Sequence, residues 1–446
     1  MKGRKLRKIF LSVFSAVTVL TGALGGMIPT KASLSFGASK EEHALTTADL
    51  LQDYYHIKTD IRIATWFPES DLTNLKAYLA KEFPRVNFTF EYIAKSNYEQ
   101  IIDAKLSIKG APDILYMDQE MVQKHAVTGY IANVTDITTK FNKEAKLAFG
   151  YGNAVYAVPN TSEFECIFYN KELFDQKGVK VPNSFSTLIG CCDYLKVVRK
   201  ITPLAASLKD PYSFSNSAFG ALSADYLYTD RGRGFGGRLQ YGRTTFTEEL
   251  LPYMGCWEEL VSHDIFTPDM YTIDELTAIE RFCNCEAAMI VGGPETYKSI
   301  MEINPDMKLG TIPYFSTDGA VGAIIGGCDL GFALNKNSEN FNKAKQVMAS
   351  LARFEGQVAL FYDRPGSQTY LEDAHFEMDK VFEGIEQCYE DGMVFTPWMD
   401  WGMELNRPIH YKFGRELQKV ILKRETLDEA FANVDALVYE ILHEGQ

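Results

Sequence analysis

No cysteine stands before Cys166, so the chain lacks the lipid-carrying thiol that would tether a mature amino terminus to a membrane. Surface retention then needs an uncleaved anchor or a partner. Histidine is also scarce: there are seven in 446 residues, and none has a partner at metal-ligand spacing. There is no G-x-S-x-G elbow, no H-E-x-x-H and no P-loop. Gly232-Arg233-Gly234-Phe235-Gly236-Gly237 matches G-x-G-x-x-G in form only, because it neither follows a strand nor opens a helix, and it reads as a flexible loop. Carboxylates number 59, yet no pair is singled out for glycoside hydrolysis. The chain is therefore read as no enzyme, with no catalytic residue, metal or cofactor.

The eight cysteines are too few for a dense disulfide framework over this length. Cys191-Cys192 and Cys283-Asn284-Cys285 lack a second pair at zinc-site spacing and read as buried thiols, with room for one or two disulfides in an exported chain. Beyond the first thirty residues no uninterrupted apolar run is long enough to span a bilayer. Repeats and low-complexity tracts are absent too.

The amino terminus opens with Lys2, Arg4, Lys5, Arg7 and Lys8, then an apolar run from Ile9 to about Ile28, then the small residues Ala32-Ser33 and Ala38-Ser39. That order is a secretory signal, expected at 1–32 with a linker at 33–54. Cleavage after Ala32 removes basic residues and no acidic one, so the remainder is more acidic than the formal −14 of the whole chain. Such a surface repels phosphate backbones, which argues against nucleic acid as a partner. With 46% hydrophobic residues the chain can bury a large core, and its length suggests two or more lobes.

Ile61 to Ala64 alternates as a strand, and Leu72, Leu75, Leu79 and Phe83 recur at helical spacing with Asp71 or Ser70 as cap. Val86–Tyr92 is a strand of strict period two. A helix through Tyr98, Ile102 and Leu106 ends at Gly110, and Ile114–Met117 is a buried strand. This alternation predicts an α/β fold with a parallel sheet and covering helices. Further strands are expected at Tyr151–Pro159, Ile167–Asn170 and Ala287–Val291, with a strand pair at Leu309–Pro313 and Ala323–Ile325. The stretch 208–242 has weak periodicity. Thr426 and Glu429 form a capping box for the last helix.

The order of these segments carries a resemblance. It runs through Phe83-Pro84, Gly110-Ala111-Pro112-Asp113-Ile114, Gly129-Tyr130-Ile131-Ala132-Asn133-Val134-Thr135 and Tyr156-Ala157-Val158-Pro159. It continues through Phe168-Tyr169-Asn170-Lys171-Glu172-Leu173-Phe174, Ala287-Ala288-Met289, Gly292-Gly293 and Gly331-Phe332-Ala333-Leu334-Asn335. From Ile61 to Leu442 the chain resembles the family-1 extracellular solute-binding proteins. It departs from them at Pro294, where the family often has a ligand-facing Trp, and at Ser184-Phe185, where it often has Thr-Trp.

The resemblance implies a two-lobed, periplasmic-binding-protein-like fold of type II, each lobe a mainly parallel sheet flanked by helices. It places one lobe at 55–160 plus 325–370 and the other at 161–324 plus 371–446. It further implies a monomer that captures a small solute, a mono- or oligosaccharide, by hinge closure and delivers it to an ABC permease. A ligand-sensing partner of a membrane sensor and a receptor for a polyamine are the alternatives.

Sugars need paired donors and acceptors beside aromatic rings, which directs attention to strand tips. Trp66 and Phe67 at one tip suit stacking, and Asp118 and Gln119 at another suit hydroxyls. Asn160 and Glu163 sit at the first expected lobe crossing, and Asp329 follows Gly326-Gly327 at the second. Gly293 and Pro294, after Gly292, complete the candidate set through close backbone approach to ligand. Trp257 falls in an apolar helical pattern and reads as core. Trp398 and Trp401, in a loop before the final helices, are left out of the set although that loop lies within reach of a cleft.

Overall fold

The computed structural model describes residues 58–446, apart from 161, 318–321, 397–400, 403 and 444–446. The expected signal and linker at 1–54, and Trp398, lie outside the described residues.

The opening unit forms as read. Strands β1 (Thr59–Thr65), β2 (Val86–Tyr92) and β3 (Ile114–Asp118) pair in parallel with β1 in the middle. The intervening helices Thr73–Glu82 and Lys95–Ser107 bury Leu75 and Leu79, then Tyr98, Ile102 and Leu106. That spacing gathers them on one stripe, and full burial of each aliphatic one contributes about 1.5–3 kcal/mol.

The cap of the first helix differs from expectation. Ser70 and Asp71 lie in a preceding turn of 3-10 helix, Glu69–Leu72, and neither caps. Asp363 does so from across the lobe, accepting from the Asn74 and Leu75 amides at 2.8 Å each. Proximity in space rather than in sequence meets the orphan amides. Asp363→Ala is expected to cost about 1 kcal/mol; an unchanged urea midpoint would show that water serves those amides equally well.

The first sheet is completed by β6 (Ala157–Pro159) and β13 (Leu330–Leu334), giving the order β2-β1-β3-β13-β6. β4 (Gly150–Tyr151) and β5 (Ala154–Val155) form a small separate hairpin. In the second sheet β7 (Glu163–Asn170) runs antiparallel to β9 (Ala287–Gly292), β10 (Leu309–Ile312) and β12 (Gly322–Gly327). β8 (Thr202–Ala205) is parallel to β9, while β11 (Tyr314–Phe315) and β14 (Val394–Phe395) both pair with β12. The segments read as a strand pair, β10 and β12, each join β7 instead of each other.

Both sheets are thus mixed, a correction to mainly parallel ones. Helical crossovers yield the parallel neighbours of β1 and the β8–β9 pair. The strands on which the chain enters each lobe from the other, β7 and β13, run against that direction, β13 antiparallel to β3 and β6 and β7 antiparallel to β9 and β12.

The lobes do not share a core. One has a single cluster, residues between Ile61 and Val158 with Cys328 to Leu371, and the other has two, one from Ile167 to Ile325 with Trp401 to Val438 and one from Phe164 to Ile324 with Met378 to Cys388. The stretch 208–242, irregular by periodicity, contains the helix Pro211–Leu222, capped by Asp210. Gly232 to Gly237 lies in two short helices, Asp230–Arg233 and Phe235–Gln240, not in a flexible loop. Packing decides both: Phe214, Ala218, Phe219 and Phe235 are all buried against the helix Asn406–Ile421 and its neighbours. Trp257 is core as read, and Trp401 is core too, edge-on to Phe219 and Phe246, so it does not reach the cleft. The capping box forms, with Thr426 N and Glu429 N each meeting the other's side chain. All eight cysteines are free thiols, seven of them buried. Among the described residues no helix is long and apolar enough to cross a membrane.

Candidate functional site

Where the chain passes from β6 to β7 and from β12 to β13, residues of both lobes line a cleft. Its larger part, about 700 Å³, is walled by the second lobe: Glu163 to Glu165, Ala206 to Asp210, Phe266, Glu275 and Gly292 to Thr296. A second part, about 460 Å³, is lined by Trp66, Phe67, Asp71 and Asp329 of the first lobe together with Lys298 and Arg364. Lys95, Glu163 and Glu295 border both parts.

The aromatic end of this space is built on β1. Thr65 Oγ1 accepts from the Phe67 amide and turns the chain as β1 ends. Trp66 then packs edge-on to Tyr98 and Tyr116 at 4.9 and 5.2 Å, and Phe67 to Tyr116 at 5.1 Å. Both rings are largely buried, so each plugs the lobe and presents one surface to the cleft. A cation lies over each ring: Lys95 Nζ is 5.9 Å from the Trp66 ring centre and Arg364 Cζ 4.3 Å from that of Phe67.

Ion pairs join the lobes across the space. Arg364, 6% exposed, holds Glu163 and Glu295 at once. Lys298 meets Asp71 at 2.6 Å. Arg407, on the helix Asn406–Ile421, pairs with Glu99 and Glu120 of the first lobe and lies 3.7 Å from Asp118. Burial pushes the Glu120 carboxyl up to about 7 against the pull of Arg407. Burial, then the charges of Asp118 and Glu163, likewise push Asp329 up to about 7.

Of the sequence candidates, Trp66, Phe67, Glu163, Gly293, Pro294 and Asp329 come together along the cleft. Asp118 is turned away to other work, its side chain capping the helix Gln119–Thr128 through the Met121 amide at 2.8 Å. Gln119 is buried, and its backbone hydrogen bond serves Asp329. Asn160, 1% exposed, donates its amide to Tyr116 Oη inside the first lobe. Gly293 differs from its expected role. Its N–H donates to Thr296 Oγ1 at 3.3 Å instead of facing a ligand, and Pro294 has no N–H to offer. Gly293 is needed for space, because a Cβ there would stand 2.2 Å from the Phe164 carbonyl oxygen.

Sequence reasoning missed Lys95, Glu165, Glu295, Lys298, Arg364 and Arg407. Only Glu165 carried a signal: Glu163 and Glu165 are two apart on a strand and share a face. The others sit on helices or turns far from Glu163 in sequence, and tertiary packing alone brings them to the space.

The comparisons with known proteins agree with this architecture. A family described as bacterial extracellular solute-binding protein matches residues 75–383. The melibiose/raffinose/stachyose-binding protein MelE of Bacillus subtilis (strain 168) is 24% identical over 417 residues, spanning 87% of this chain and 94% of MelE. A family 1 extracellular solute-binding protein from Bifidobacterium longum subsp. infantis superposes with a TM-score of 0.69 at 17% identity, covering 85% of this chain and 98% of its own. Apo RafE from Streptococcus pneumoniae superposes at 0.68 with 16% identity, covering 86% and 98%. Two cored lobes around a lined cleft, with a match over most of the chain, lead to one conclusion: the chain belongs to the bacterial extracellular solute-binding protein family.

Proposed function

We propose that this chain is the exported receptor of an ABC importer and that it captures a carbohydrate between its lobes without changing it covalently. The observation that carries the reading is the cleft itself, where the rings of Trp66 and Phe67 lie beside carboxylates contributed by both lobes. Ring faces suit the C–H surfaces of a sugar, and carboxylates suit its hydroxyls. Relatives named for melibiose, raffinose and stachyose binding and for multiple-sugar binding support that class.

In this reading the contact set is Trp66, Phe67, Glu163, Gly293, Pro294 and Asp329, with Asp118, Gln119 and Asn160 behind it. The lobes comprise 55–160 plus 325–370 and 161–324 plus 371–446, and 1–32 is the export signal. Closure is driven by a solute that touches both lobes, since only differential contact shifts such an equilibrium. The released form is a monomer that presents its closed lobes to a permease.

The test is a thermal-shift screen with melibiose, raffinose, stachyose, amino acids and spermidine. A sugar at a hundredfold over its Kd is expected to stabilise the native state by about 2.7 kcal/mol. Stabilisation by spermidine or an amino acid alone would overturn the carbohydrate assignment.

A further inference from the structure

We propose that Glu165 is the specificity-determining acceptor of the cleft, a carboxylate held ready to take hydrogen bonds from two adjacent hydroxyls of a sugar seated against the second lobe. This rests on the carbohydrate reading above and adds which part of the solute is recognised, and by what. Glu165 lies on β7, two residues beyond Glu163, and lines the larger part of the cleft. Tyr314 Oη donates to one carboxylate oxygen at 2.9 Å, and Asn216 Nδ2 donates to the other at 3.2 Å. His410 Nε2 lies 3.1 Å from Asn216 Oδ1 and so bears on the way that amide faces. Each carboxylate oxygen accepts at two positions, so one donor apiece leaves one acceptor site apiece. Those two sites belong to a side chain that is half-buried and borders open space.

The manner of holding separates Glu165 from its neighbours. Glu163 and Glu295 share the single positive charge of Arg364, and Asp71 pairs with Lys298. Glu165 is held by two neutral donors, and the charge beside it is another carboxylate, Glu275. Neutral donors fix the geometry without cancelling the negative potential that attracts hydroxyl protons. Burial pushes the Glu165 carboxyl up to about 7.

The experiment compares the parent chain with Glu165→Gln and Tyr314→Phe by titration calorimetry. The probe is whichever of melibiose, raffinose, stachyose and spermidine binds the parent. Losing charge-assisted hydrogen bonds is expected to weaken sugar binding by about ten- to a hundredfold in Glu165→Gln, and by a smaller factor in Tyr314→Phe, with urea midpoints close to the parent's. Parent affinity should rise between pH 6 and pH 8 more steeply than that of Glu165→Gln. Asp329 titrates in both chains, and burial holds His410 down at about 3, so the difference between the profiles belongs to Glu165. A sugar that binds parent and Glu165→Gln equally overturns this assignment and leaves the carbohydrate reading standing. Binding of spermidine but of no sugar overturns both.

Discussion

An Arg364→Ala chain is expected to unfold at a lower urea concentration than the parent, by about 2–4 kcal/mol, and to lose most of its solute affinity. Arg364 is the buried pivot of the cleft. Its guanidinium pairs with Glu163 at the first crossing and with Glu295 on the second lobe, while its plane lies over Phe67. Removal leaves two carboxylates facing each other near Asp329, with no cation between them. Fully buried pairs broken in this way cost about 3–5 kcal/mol. Here the side chains of Glu163 and Glu295 are 29% and 53% exposed, so solvent screens part of that repulsion and the lower end applies. Arg364→Lys should recover less than half of the loss, because a single ammonium cannot serve two carboxylates and a ring face together. A midpoint within error of the parent for Arg364→Ala would mean that these pairs contribute no net stability.

Gly326→Ala is expected to be as damaging, by a different route. Gly326 stands at the second crossing with φ of +152°, a conformation costly for any residue with a Cβ. The added methyl would also lie 2.2 Å from the Glu163 carbonyl oxygen on the paired strand. Backbone strain of about 1–3 kcal/mol and overpacking of about 1–3 kcal/mol act on the same joint. The parting of β12 from β7 would shift Glu163 and Glu165 with it, since Gly326 pairs with Phe164 between them. The measurement is a paired urea and calorimetric titration of the purified variant. Wild-type stability together with wild-type affinity would show that the crossing tolerates a side chain and that its glycine is incidental.

Much of the first lobe was legible because its signals are local. Val86–Tyr92 alternates strictly, and Tyr98, Ile102 and Leu106 lie on one helical stripe, so sequence neighbours alone imply which faces are buried. The second lobe was less legible. Its helix Pro211–Leu222 is buried on nearly every side, which erases the polar face that periodicity detects. Gly232 to Gly237 failed for the related reason that glycine lowers helical propensity while helping close packing, and packing won. In the site, the candidates at strand ends and crossings, such as Trp66, Glu163 and Asp329, do border the cleft. Asp118 was drawn into a local cap on the Met121 amide three residues on, and Asn160 into a core hydrogen bond with Tyr116, a group 44 positions away.

By itself, then, the order of residues determined the alternation of strands and helices, the acidic excess and the glycines at the crossings. These depend on spacing and composition, which act over a few residues. Only the tertiary structure decided that Arg364 would pair with Glu163, that Lys298 and Arg407 would span the lobes, and that Glu165 would be held by Tyr314 and Asn216. Each of those contacts joins groups dozens to hundreds of positions apart. A charge or a hydrogen-bond donor acts over a few ångströms, and until the chain folds nothing brings such groups within that distance.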